Sequence, residues 1–132
     1  FTTSEGVAWF KYQKADWTKD SKGGANGAEG WAAHINCGAG LEKKCASGAK
    51  SIVMIKDWVD SLTEAPGEKE IEIFANAGHN YIEFEQQSEY QTIPAGGTLV
   101  WTMHWMLRPL PADITPEPGN VALVNWVRGQ VL

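Results

Sequence analysis

The chain predicts an all-β fold: an antiparallel β-sandwich, supersandwich-like or half of one, ending in either a short helix or a last strand. Three observations predict it. Apolar and polar residues alternate over Glu70–Ala75, Asn80–Gln86 and Thr98–Leu107, the period of a half-buried strand. Turn-forming residues separate these runs, as in Asn76-Ala77-Gly78 and Pro94-Ala95-Gly96-Gly97. Strands come first and one helix-like stretch comes last, which argues against an alternating α/β arrangement.

Val7-Ala8-Trp9-Phe10-Lys11-Tyr12 and Trp31-Ala32-Ala33-His34-Ile35-Asn36 are rich in strand formers. Between them Asp16–Gly30 reads as a loop, dense in Gly, Asn, Asp and Lys. A second loop, Cys37–Gly48, leads to Ser51-Ile52-Val53-Met54-Ile55, an apolar run that reads as a buried strand. Ile71 and Ile73 then share one face, as do Ile82 and Phe84, with Tyr81, Glu83 and Glu85 on the opposite side. Tyr90–Ile93 suits another short strand. In Thr98–Leu107 one face carries Leu99, Trp101, Met103, Trp105 and Leu107; the other carries Val100, Thr102, His104 and Met106. The tryptophan face is expected inward and His104 outward. Four prolines break Arg108–Gly119, after which Asn120 caps either a helix bearing Val121, Val124 and Val127 or a last strand.

A length of 132 residues suits a single domain with a real core. The start of strand-like sequence at Val7 suggests a piece of something longer. The formal charge of −5, with scattered basic residues, argues against nucleic acid as a partner. No apolar run is long enough to span a membrane as a helix. Cys37 and Cys45 flank a glycine-containing segment flexible enough to close into a local disulfide. Such a short loop would contribute roughly 2–3 kcal/mol at most. A disulfide implies a secreted or periplasmic location; the alternative is a pair of reduced thiols.

Seven tryptophans are many for this length. Indoles are apolar plates with one N–H donor, suited to cores and equally to covering the C–H faces of sugar rings. Trp17, in a polar loop, and Trp58, beside Asp57 and Asp60, are the expected exposed plates. Tyr81, Glu83, Glu85 and His104 are the candidate polar ligand face, provided their strands pair. Glu85 and His104 would then be an acid–base pair. A solvated outer sheet face explains the alternating glutamates equally well. His79 lies in a turn, and His34 alternates outward from Trp31, Ala33 and Ile35. The histidines lack paired metal spacing, and Asp16, Asp20, Asn26 and Glu29 lack EF-hand spacing, so no metal is expected. Neither a nucleophile elbow nor a phosphate loop is present, and no cofactor is expected.

The ordered series Trp31-Ala32-Ala33-His34-Ile35, Glu70-Ile71-Glu72-Ile73-Phe74-Ala75-Asn76, Tyr81-Ile82-Glu83-Phe84-Glu85, Ile93-Pro94-Ala95-Gly96-Gly97-Thr98-Leu99 and Trp105-Met106-Leu107 carries a resemblance. It resembles the second half of an uncharacterised family of bacterial, often secreted, proteins similar in fold to galactose mutarotases. The resemblance covers the span from Trp31 to Pro111. It implies a supersandwich with a sugar-accommodating concave face, and a missing N-terminal half or partner domain. Mutarotases use a His and a Glu for proton transfer, but their catalytic motif has no residue-by-residue match here. Carbohydrate recognition by a non-catalytic or accessory domain is the expected function. The alternatives are a sugar-directed enzyme, epimerase-like or glycan-cleaving, and a structural or interaction domain.

Overall fold

The structure, a computed structural model, describes residues 1–12, 18–36, 51–60, 63–78 and 81–132. Trp17, Cys37, Cys45 and His79 lie outside them, so the Trp17 plate and the disulfide are expectations on undescribed residues. In chain order the described elements are β1 (Thr2–Ser4), β2 (Val7–Trp9), β3 (Ser21–Ala25), β4 (Trp31–Asn36) and β5 (Ile52–Trp58). They continue with β6 (Ile71–Ala75), β7 (Ile82–Gln86), β8 (Met103–Pro109) and helix α1 (Val121–Arg128). All strand pairings are antiparallel. β1 and β2 form a hairpin, β4-β5-β8 one sheet and β3-β6-β7 the other. The chain crosses between the two larger sheets after β3, β5 and β7. This is the expected all-β, sandwich-like fold with a short C-terminal helix.

Register decides which side chains meet. Trp31, Asp57 and His104 form one row across the β4-β5-β8 sheet, followed by Ala33, Ile55 and Met106, then Ile35, Val53 and Arg108. These rows share a face because directly paired residues point the same way. Helix α1 covers that face, and Val53, Ile55, Met106, Leu110, Leu123 and Val127 form the buried core. Each such side chain contributes about 1.5–3 kcal/mol through burial. The helix starts where expected: Asn120 accepts from the Ala122 and Leu123 backbone N–H groups. Its buried residues are Leu123, Val124 and Val127, while Val121 is exposed.

The opposite face carries Ala32, Lys56 and Trp105 in one row and His34, Met54 and Leu107 in the next. It meets the β3-β6-β7 sheet through Phe84, whose carbonyl accepts from Lys56 Nζ at 2.6 Å. The Phe84 ring lies 6.5 Å from the His34 ring. Ile71, Ile73, Ile82 and Phe84 share this inward face, as their alternation requires.

The expected inward face of Thr98–Leu107 is corrected. Met106 is the buried residue of β8, whereas Trp105 and Leu107 are each 66% exposed. Helix α1 packs on the Met106 side, and burial follows what lies on a face rather than which face is more apolar. The strand is also displaced. β5 supplies ladder partners only from Ile52 to Trp58, so β8 runs from Met103 to Pro109 and 98–102 has no strand pairing. Tyr90–Ile93 is not a strand. Conversely, Ser21-Lys22-Gly23-Gly24-Ala25, inside the expected loop, forms β3 on the edge of β6. Phe1 sits against Gly23 there, where a Cβ would lie 2.0 Å from its ring.

Candidate functional site

The inter-sheet face of β5 and β8 concentrates the unusual chemistry. Strand pairing sets Lys56 beside Trp105, and packing of the second sheet brings Phe84 against Lys56. Lys56 is only 4% exposed. Its Nζ lies 4.8 Å from the Phe84 ring centroid and 4.3 Å from the Trp105 centroid, so two aromatic faces flank the amine. Burial pushes its pKa below the ordinary lysine value. Trp105 is fixed at its edge as well, donating Nε1–H to Met103 Sδ at 2.8 Å. His34, one row along, is pushed below the usual histidine value by burial and then by the Lys56 charge. Those two influences favour a neutral imidazole, able to donate through one nitrogen and accept through the other.

A second constellation lies on the helix-covered face. His104 and Asp57 oppose each other across the β5–β8 ladder, and Nδ1 lies 2.8 Å from Asp57 Oδ1. The His104 side chain is 54% exposed and that of Asp57 only 4%. The Leu132 backbone N–H donates to Asp57 Oδ2 at 2.7 Å, occupying the second carboxylate oxygen. With Nδ1 turned to a carboxylate, Nε2 is the nitrogen left for an incoming group. Trp31 continues the row, with Arg128 over its ring and its Nε1 donating to Glu29. Glu29 closes the cluster through two hydrogen bonds from Arg128, at 2.6 and 2.8 Å.

Trp58 corrects the expectation of an exposed plate. It is buried, 8% exposed, and donates Nε1–H to Glu70 Oε1 at 2.7 Å. Its ring also makes an edge contact with Trp101, 6.5 Å between centroids. The adjacent Asp57 points to the other face, so neighbouring acids in sequence were no guide to exposure. Glu70 Oε2 accepts from the Gly27 N–H at 2.7 Å. Asp60, beside this buried carboxylate, is raised in pKa by burial and by Glu70.

Tyr81, Glu83 and Glu85 do fall on one side, the outer face of the β3-β6-β7 sheet, with Phe74 6.0 Å from the Tyr81 ring. Glu85 opposes Glu72, which Lys22 pairs at 2.7 Å. His104 belongs to the other sheet. The expected Glu83–Glu85–His104 face is therefore not assembled, because β7 and β8 do not share a sheet. His104 has Asp57 instead of Glu85 as its carboxylate. Lys56 and Trp105 were missed: Trp105 read as core, and Lys56 lies one residue past the apolar run Ser51–Ile55. Asp57 was overlooked because its partner is 47 residues away.

Among the described residues no group of three or more His, Cys, Asp or Glu is placed to hold a metal ion. No described helix is long and apolar enough to cross a membrane. No protein family, curated protein or solved structure matches this chain.

Proposed function

We propose that this domain recognises carbohydrate without catalysing a reaction. The observation that carries the reading is Trp105, an indole two-thirds exposed yet held by Lys56 on its face and Met103 at its edge. A held plate covers a sugar's C–H face with little rotamer entropy to lose, and His34 and Lys56 supply polar groups nearby. A glycan array followed by calorimetric titration tests it. Trp105→Ala should abolish binding while leaving the melting temperature close to that of the parent. Silence on all glycans would remove the reading in favour of a structural or interaction domain. A secreted or periplasmic location belongs with this proposal and rests on a Cys37–Cys45 bridge. Thiol alkylation of unreduced protein checks it, two modified cysteines counting against it.

His104 supports a second reading, an enzyme acting on sugars. A half-exposed imidazole held by a buried carboxylate is an arrangement suited to proton transfer. It replaces the expected Glu85–His104 pair by Asp57–His104. Turnover of a bound sugar, lost in His104→Ala, would favour this reading over simple binding.

A further inference from the structure

Lys56 is the one buried basic residue among the described residues, and none of those residues forms an ion pair with it. Lys22, Lys69 and Arg128 each pair with a glutamate, yet all are far more exposed. Lys56 has one hydrogen bond, to the neutral Phe84 carbonyl, and two ring contacts. The acid next to it in sequence and those flanking Phe84 are turned away: Asp57 points to the helix-covered face, and Glu83 and Glu85 to the outer face of the second sheet. Burying an ammonium without an anion is unfavourable, and a lysine serving only as an inter-sheet tether would be replaced by an apolar side chain at no loss.

We propose that the missing anion is supplied by the ligand, and that the sugar recognised through Trp105 carries a carboxylate which pairs with Lys56. This inference rests on the carbohydrate reading above and names its ligand class, the uronic acids. Trp105 stands on the described outer edge of its sheet and is two-thirds exposed, so a shift of the flexible Lys56 stem past the edge of the held ring brings Nζ to an incoming carboxylate. The indole then covers the sugar ring while Lys56 takes the anion and His34, held neutral, serves a hydroxyl. The formal charge of −5 repels anions at long range, so affinity must come from this local cation.

The test compares D-galacturonate with D-galactose, and D-glucuronate with D-glucose, by calorimetry at pH 7 on the whole chain. Each uronate should bind about tenfold or more tighter than its neutral counterpart, the range a charge-assisted bond supplies. Lys56→Met should bring uronate and neutral sugar to equal affinity. Labelled wild-type protein gives an independent readout if that variant folds poorly: the Lys56 Cε resonance should move with galacturonate and stay with galactose. Equal affinities in the wild type, or a uronate preference that survives Lys56→Met, overturns the inference while leaving carbohydrate recognition standing. Binding of neither sugar class overturns both.

Discussion

Asp57 and His104 are cross-strand partners whose side chains meet at 2.8 Å, one buried and the other more than half exposed. The pair is asymmetric. Removing His104 leaves a buried carboxylate oxygen unmet, whereas removing Asp57 frees His104 to water and leaves the Leu132 N–H unmet. Each single change should cost about 1–3 kcal/mol. Because both remove the same interaction, a His104→Ala, Asp57→Ala cycle in urea should show coupling of about 0.5–3 kcal/mol. Strictly additive losses would mean that the pair makes no energetic contact.

Asp60 should make stability depend on pH in an unusual direction. Burial and Glu70 raise its folded pKa above the unfolded value, so the native state binds the proton more tightly. Its contribution is then present below the unfolded pKa and is lost as pH rises through the folded one. Asp60→Asn keeps the shape and removes the charge. It should raise the melting temperature at pH 7 and change it little near pH 3. A variant less stable than the parent at neutral pH would show that the Asp60 carboxylate is favourable there.

Glu29 runs the opposite way. Hydrogen bonds from Arg128 and then Trp31 hold its carboxyl down at about 2. Its stabilising contribution is present above the unfolded value of about 4.5 and is lost as pH falls towards 2. The Arg128 and Glu29 side chains are 37% and 47% exposed, so solvent screens the pair. Glu29→Gln should cost below about 1 kcal/mol at pH 7, and less in high salt. Melts at low and high salt check both statements.

The alternation within strands was the legible part of this fold, and the pairing of strands and the coverage of their faces were not. Alternation placed Ile71, Ile73, Ile82 and Phe84 together and Glu83 with Glu85, since period-2 geometry is local. It could not say that β7 and β8 lie in different sheets, which separates Glu85 from His104. Nor could it say that α1 lies over Met106. Trp58 shows the same limit. Acid neighbours suggested exposure, but a glutamate 12 residues on reaches back to its indole N–H. Of the candidate site, His104 was legible as an exposed polar residue, though its strand face is the one α1 covers. Lys56 and Trp105 were not, because their significance is that no described acid pairs with one and that the other is two-thirds exposed.

Gly30 supports this arrangement from the backbone. It holds φ at +61°, and an added Cβ would lie 2.2 Å from the Trp58 carbonyl oxygen. Its own carbonyl accepts from the Trp58 N–H at 2.8 Å, so neither strand can move apart without losing a bond. Gly30→Ala combines a left-handed conformation with a backbone clash. The expected cost is about 2–4 kcal/mol by denaturant titration, beyond the usual range for a surface change.

Trp105 and Met106, adjacent in β8, should behave in opposite ways. Met106 is 8% exposed and packs with Val53, Ile55 and Leu123, so Met106→Ala leaves a cavity and should cost about 2–5 kcal/mol. Trp105 is the larger side chain, but two-thirds of it already faces solvent. Trp105→Ala should cost about 1 kcal/mol or less, chiefly its contact with Lys56. Its clearer effect is on that lysine. Burial depresses the Lys56 pKa, so removing the indole should raise it towards the ordinary value. A base with a depressed folded pKa contributes stability that grows as pH rises through that value; in Trp105→Ala this gain at alkaline pH should shrink. Titrating the Lys56 Cε resonance in both proteins reads the shift directly. A pKa unchanged by loss of the indole would mean that Phe84 and the sheets alone bury the amine, leaving Trp105 no part in shielding it.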